Sequence, residues 1–193
     1  MRFEAWSMVL AALLSCTAVS MAQAEDKFGE KGQLAISSES ALLIQHSETG
    51  DDDEGSTKFV IGPAVDFLVM DGLSLGAAVS LEYTAVGEAD TTRLEVGPRV
   101  GYNLYLSDAL SIWPKLGFSV AYTNSSVEVG PVENDTDSTS VAINLFAPLM
   151  LYPVEHVFIG FGPFLDADIT GDVKTTTFGG QLILGGWLWV DET

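Results

Sequence analysis

Cysteine is nearly missing from this chain: Cys16 is the only one in 193 residues. No disulfide framework and no cysteine metal site can therefore be built. Histidine is almost as scarce, with His46 and His156 alone, so a zinc-type constellation is excluded as well. Basic residues are few, 8 Lys and Arg against 27 Asp and Glu, a formal charge of −19. That sign disfavours nucleic acid and anionic headgroups as partners. Apolar runs long enough for a spanning helix, about 20 residues, are also lacking. Yet 47% of the residues are hydrophobic and the mean hydropathy is positive, which excludes a disordered acidic chain. Such a chain has to keep its apolar residues and its acids in different places.

The first residues read as a targeting segment. Met1-Arg2 gives a short charged start, residues 8–14 are apolar, and Ala22-Gln23-Ala24 is the small-x-small pattern of a signal-peptidase site. The expected organisation is a signal peptide at 1–24, cleaved after Ala24, and an N-terminal lead at 25–32. A β-barrel at 33–190 and a tail at 191–193 follow. Leu13-Leu14-Ser15-Cys16 offers a competing lipobox in which Cys16 would be lipidated, but Leu14 is an unusual residue there. Arg2 and Glu4 cancel, so the mature chain would carry the whole −19.

From residue 33 onward the dominant period is two. In 110–123, Leu110, Ile112, Pro114, Leu116, Phe118, Val120 and Tyr122 alternate with Ser111, Trp113, Lys115, Gly117, Ser119, Ala121 and Thr123. Leu94, Val96, Pro98, Val100 and Tyr102 likewise face away from Arg93, Glu95, Gly97, Arg99 and Gly101. The pattern recurs in eight segments, weakest in 33–45 and blurred by Phe146 and Met150. Short turns are expected near Asp71-Gly72, at 107–109 and at 153–156. Long polar loops are expected at 47–57, 86–91, 124–137 and 169–175. Short turns on one rim and long loops on the other predict an all-β, eight-stranded antiparallel transmembrane β-barrel.

Alternation alone does not say which face points inward, and a soluble lipocalin-like barrel would bury the apolar one. Three features favour the inverted arrangement. The polar face is rich in Gly, Ala and Ser, as a narrow lumen requires. Its charges have both signs, Glu39, Asp66, Glu82, Glu95 and Asp166 with Arg93, Arg99 and Lys115, and so can pair when enclosed. The apolar face is uncharged, with Phe59, Tyr83, Tyr102 and Tyr122 towards strand ends. Pro63, Pro98, Pro114 and Pro163 pull the other way, since proline removes a ladder bond.

The run Gly97-Pro98-Arg99-Val100-Gly101-Tyr102, the run 116–122, Gly160-Phe161-Gly162-Pro163 and a Gly- and Trp-rich last strand resemble the outer membrane protein β-barrel domain family. These are small eight-stranded barrels related in form to OmpX and the OmpA transmembrane domain. The resemblance implies a Gram-negative outer membrane location with both termini periplasmic, and contact with outer membrane lipids and lipopolysaccharide. It also implies insertion by the barrel assembly machinery, which reads a final strand ending in an aromatic residue. Here Gly185-Gly186-Trp187-Leu188-Trp189-Val190 supplies the strand, but Asp191-Glu192-Thr193 follows it.

Little else carries chemistry. His46 and Ser47 are adjacent in a strand pattern, so their side chains point to opposite faces and could not readily share a proton. Asp51-Asp52-Asp53-Glu54 could hold a cation, although it lacks the alternating ligand spacing of an EF-hand loop. The lumen charges read as a structural salt-bridge plug, because an eight-stranded barrel is wide enough only to be filled by its own side chains. No enzyme and no cofactor are expected. The expected role is structural or surface interaction, with the acidic loops facing an extracellular partner. A narrow channel or carrier, porin-like in function, and a soluble periplasmic binding barrel are the alternatives.

Overall fold

A computed structural model describes residues 27–40, 56–86, 89–129, 132–170 and 176–190. Its strands in chain order are β1 (Gln33–Ser40), β2 (Ser56–Met70), β3 (Leu73–Val86) and β4 (Ala89–Tyr102), then β5 (Leu104–Ser107), β6 (Leu110–Ile112) and β7 (Lys115–Val129). β8 (Val132–Phe146), β9 (Leu149–Val154), β10 (Val157–Asp168) and β11 (Thr176–Trp189) complete the set. Every pairing is antiparallel, and β11 pairs with both β10 and β1. The sheet therefore closes on itself.

The ring has eight strands because three of them are interrupted. β5 with β6 keeps the register of β4 with β7, and β6 with β9 keeps that of β7 with β8. β4/β5, β6/β7 and β8/β9 are each one long strand. Proline explains two of the breaks, and the third, between β4 and β5, is at Asn103. Pro114 separates β6 from β7, and Pro148 separates β8 from β9. Pro63 pairs with Ser38 on β1 while the ladder towards β3 lapses at Gly62-Pro63. Pro98 pairs with Ala77 on β3 while the ladder towards β7 lapses at Gly97-Pro98. Neither lapse shifts the register, so no bulge is needed. Each proline turns its missing N–H towards a gap in one ladder and keeps its place in the other.

Two expected loops are strand. β3 and β4 pair as far as Val86 against Ala89, and β7 and β8 as far as Val129 against Val132. Residues 86, 89–91, 124–129 and 132–137 are thus paired strand. Polarity misled there: Thr91, Thr92, Ser125 and Ser126 suit a strand wetted on both faces, and Thr91 Oγ1 lies 3.1 Å from Ser125 Oγ. The first strand is described as far as Ser40, so its expected continuation to residue 45 lies outside the described residues. So do the leader with Ala22, Ala24 and Cys16, the pair His46 and Ser47, the acidic run 51–54 and the tail.

The short turns fall where the sequence places them, and Gly72 takes the left-handed φ of 78° that a two-residue connection demands. A Cβ on Gly97 would collide with the carbonyl oxygen of Phe118 on β7, whereas one on Gly117 would meet the Asn144 side chain at 3.2 Å and the Arg99 Cβ at 3.6 Å. Replacing Gly97 by alanine should lower stability by about 1–3 kcal/mol, read from urea unfolding in lipid vesicles, and Gly117→Ala by much less.

Candidate functional site

The burial pattern decides which face is the interior. On β10, residues alternate between enclosed Phe158, Gly160, Gly162 and Phe164 and exposed Ile159, Phe161, Pro163 and Leu165. On β4, Leu94, Val96, Pro98, Val100 and Tyr102 are exposed, while Arg99 is enclosed at 8% exposure. The apolar face points outward and the charged face inward. Phe59, Tyr83, Tyr122 and Phe178 stand on the outer face towards one rim and Tyr102 towards the other, where Tyr105 and Trp189 have the inward parity of their strands. Among the described residues, no Asp, Glu, Lys or Arg side chain points outward between these aromatic bands.

Inside, the eight expected lumen charges divide into two groups. The deeper one is balanced. Arg99 on β4 donates through Nε to Asp66 Oδ1 at 2.9 Å, through its second arm to Asp66 Oδ2, and through its third nitrogen to Glu39 Oε1 at 2.7 Å. Lys115 Nζ donates to the same Glu39 oxygen at 2.6 Å and sits 3.8 Å above the Trp113 ring. Two cations thus meet two carboxylates drawn from β1, β2, β4 and β7. A planar guanidinium can satisfy three acceptors in one plane, which suits Arg to this position better than Lys.

The second group lies nearer the long-hairpin rim. Arg93 makes a two-armed pair with Asp168, at 2.8 and 3.2 Å, and reaches Glu95 at 3.3 Å. Asn144 Nδ2 bridges Glu95, at 2.6 Å, and Asp166, at 3.0 Å. Ser119 donates to Glu95, Ser140 donates to Asp168 at 2.9 Å, and Thr84 reaches Glu82 at 3.5 Å. Among the described side chains, Glu82, Glu95, Asp166 and Asp168 gather round Arg93 at this end of the lumen. A cavity of about 110 Å³ lies between the groups, touched by Glu39, Glu95, Arg99, Lys115, Asn144 and Asp166. That is room for several waters among polar partners.

Towards the short-turn rim the lumen becomes apolar. Trp113, Met150, Phe158, Ile183 and Trp187 fill it, with Phe28 in their midst. The Phe28 ring lies 4.9 Å from Trp113, 5.2 Å from Phe158, 5.4 Å from Trp187 and 5.9 Å from Tyr152. Phe28 and Gly29 are therefore part of the packed interior, while Lys27 and Lys31 stay exposed. Phe146 and Met150, which blur the alternation of their strand, are inward-facing members of this packing. His156 sits at a left-handed φ of 61° with its ring 5.3 Å from Trp187, so it packs on the barrel end.

Sequence reasoning missed Asp168, Asn144, Ser119, Trp113 and Phe28 as partners. Asp168 had a signal, because it continues the inward parity of Asp166 by two residues. Ser119 falls on the polar face of its strand, yet nothing in the sequence brings it or Asn144 to Glu95. Phe28 precedes the alternating region and has no periodicity to announce it. Among the described residues, no group of three His, Cys, Asp or Glu side chains is arranged to hold a metal ion.

No family model matches the chain, and no curated protein matches it. Solved structures do. The Yersinia pestis outer membrane protein Ail in a phospholipid bilayer nanodisc is 12% identical, with a TM-score of 0.49 over 82% of this chain and 100% of that one. The N-terminal β-barrel domain of Pseudomonas aeruginosa OprF is 12% identical, with a TM-score of 0.45 over 82% and 98%. Neisserial surface protein A is 15% identical, with a TM-score of 0.45 over 82% and 95%. The eight-stranded antiparallel barrel is established by the chain's own ladders.

Removing the guanidinium of Arg99 would leave Asp66 and Glu39 enclosed with Lys115 alone. Arg99→Met should cost on the order of 3–5 kcal/mol in a vesicle unfolding titration. Arg93→Met should cost less, because its cluster is more open to water.

Proposed function

We propose that this chain is an integral outer membrane β-barrel, with its short-turn rim in the periplasm and its long hairpins outward. Its role is to present that outward surface and to hold its place in the bilayer. One observation carries the reading: an uncharged apolar belt surrounds a lumen that holds the charges. In water that belt would be a large exposed hydrophobic patch of the kind that drives aggregation. In a bilayer it is the ordinary solvent-facing surface. The outward run from Leu75 to Tyr83 has the length of about 9–11 residues that a tilted spanning strand needs. Closure supports the same reading, since unpaired strand edges in hydrocarbon cost several kcal/mol per group.

A soluble binding barrel is less well supported, because it would need the opposite burial. A through-channel is disfavoured by the aromatic filling at the short-turn end and the ion-paired residues above it. The outward hairpins carry the acid excess, with Asp90 and Asp137 near the rim and Glu133 and Asp135 in the β8 sequence. An extracellular partner would meet an acidic, Ser- and Thr-rich wall. Lipopolysaccharide phosphates would reach such a wall through bridging cations, and the barrel assembly machinery would supply insertion.

The protein should remain in the sarkosyl-insoluble envelope fraction and migrate on gels in a heat-modifiable form. A freely soluble monomer without detergent would overturn the reading. Planar bilayers should show no steady conductance. An outward charge tests the belt: Val96→Arg should destabilise the vesicle-embedded barrel by about 2–4 kcal/mol. Arginine at the exposed rim residue Ser107 should change it by no more than about 0.5 kcal/mol.

A further inference from the structure

Residues 27–32 do something that the barrel itself does not require. They join no ladder. Instead they run from the β1–β11 seam across the short-turn mouth to the far side of the ring. Gly32 is held at the seam, where its N–H donates to Leu68 O at 2.9 Å and its carbonyl accepts from Val190 N at 3.0 Å. In the middle, Lys31 N donates to Asp71 Oδ1 at 3.0 Å, and Gly72 N donates to Gly29 O at 2.7 Å. At the far end, Asn103 Nδ2 donates to Phe28 O at 3.3 Å, and Lys27 Nζ pairs with Asp108 at 2.6 Å in the β5–β6 turn. That hydrogen bond and the Lys27 charge hold the Asp108 carboxyl below its ordinary range. Gln33, buried at the start of β1, keeps the segment bent. Its Oε1 accepts from Gly29 N at 2.7 Å and Glu30 N at 3.2 Å, and its Nε2 donates to Lys27 O at 2.7 Å.

We propose that residues 27–32 form a strap that closes over the short-turn mouth once the ring is complete, with Phe28 as its stopper, and that it opens without opening the barrel. The anchors explain the order. They come from the β2–β3 turn, Asn103 between β4 and β5, the β5–β6 turn and the end of β11, which lie together only after β11 has paired with β1. The aromatic seat of Phe28 is likewise assembled from Trp113 between β6 and β7, Tyr152 on β9, Phe158 on β10 and Trp187 on β11. Lifting residues 27–31 about Gly32 breaks no ladder bond, so the opening is local and separate from unfolding of the ring. What it uncovers is the aromatic floor of the lumen. This inference rests on the closed barrel but not on the membrane in which the barrel is proposed to sit.

A buried thiol reports strap opening. Ser111 is fully enclosed on β6, with its hydroxyl 2.5 Å from the Tyr152 hydroxyl beside Phe28. In a Cys16→Ser background, Ser111→Cys gives a chain with one thiol under the strap. The variant is folded in detergent micelles and treated with a small charged maleimide, with the gel mobility shift recording whether the ring is intact. Labelling should be slow with Phe28 present and at least ten-fold faster with Phe28→Ala, both samples keeping the folded mobility. Gln33→Ala, which removes the bend in the strap, should accelerate labelling in the same direction. Equal labelling rates in folded samples would overturn the proposal. Loss of folded mobility in Phe28→Ala would overturn it too, because the strap would then be part of the ring's own stability.

Discussion

Pairing of the first strand with the last, from Gln33 against Trp189 to Ser40 against Leu182, is the constraint on which the rest of this structure depends. An open sheet of these strands would leave two edges of N–H and C=O groups without partners beside an apolar face. Only closure removes both edges, and only closure creates an interior where charges can be set apart from the apolar surface. The strongly acidic yet apolar composition then stops being a contradiction. Alternation sends one set of side chains out and the other in, and a one-residue slip in register would exchange the two sets on a strand.

The interior is built as a sequence of layers along the barrel axis. Beneath the strap is an aromatic layer centred on Phe28 and Trp113. Next come the balanced charges of Arg99, Lys115, Glu39 and Asp66, then a small polar-lined cavity, and then the carboxylates around Arg93. Lys115 joins the first two, with its ammonium over the Trp113 ring and its hydrogen bond to Glu39. The charges nearest the apolar floor are balanced, two cations against two carboxylates, as desolvation demands, since an enclosed unpaired charge is costly.

Much of this was legible in the sequence, and the limits have physical causes. Period-two patterning located the strands, the turns at Asp71-Gly72 and Asp108-Ala109 and the inward parity of the eight lumen charges, because alternation is imposed by backbone geometry. The choice of face was legible too, from mixed-sign charges among small residues. Partnerships across the lumen were not. That Arg99 meets Glu39 rather than Glu95 depends on strand tilt and register, which no single strand encodes. The hairpin ends around Thr91 and Ser125 were read as loops because polar strands beyond the apolar belt lose the contrast that makes alternation visible. The prolines looked like objections, yet each falls where one ladder lapses without a register shift. Phe28 was invisible for the plainest reason, since a single aromatic in a polar lead has no pattern to belong to.

The central claim is the orientation of the two faces, and collision quenching of single spin labels measures it directly. Labels would be placed in turn at Ala78, Val79, Ser80, Leu81, Val96 and Phe118 in the vesicle-embedded protein, and oxygen would be compared with a water-soluble nickel chelate. Oxygen access should peak at Val79, Leu81, Val96 and Phe118 and fall at Ala78 and Ser80, with a period of two residues. Chelate access that peaks at those same outward positions would contradict the account.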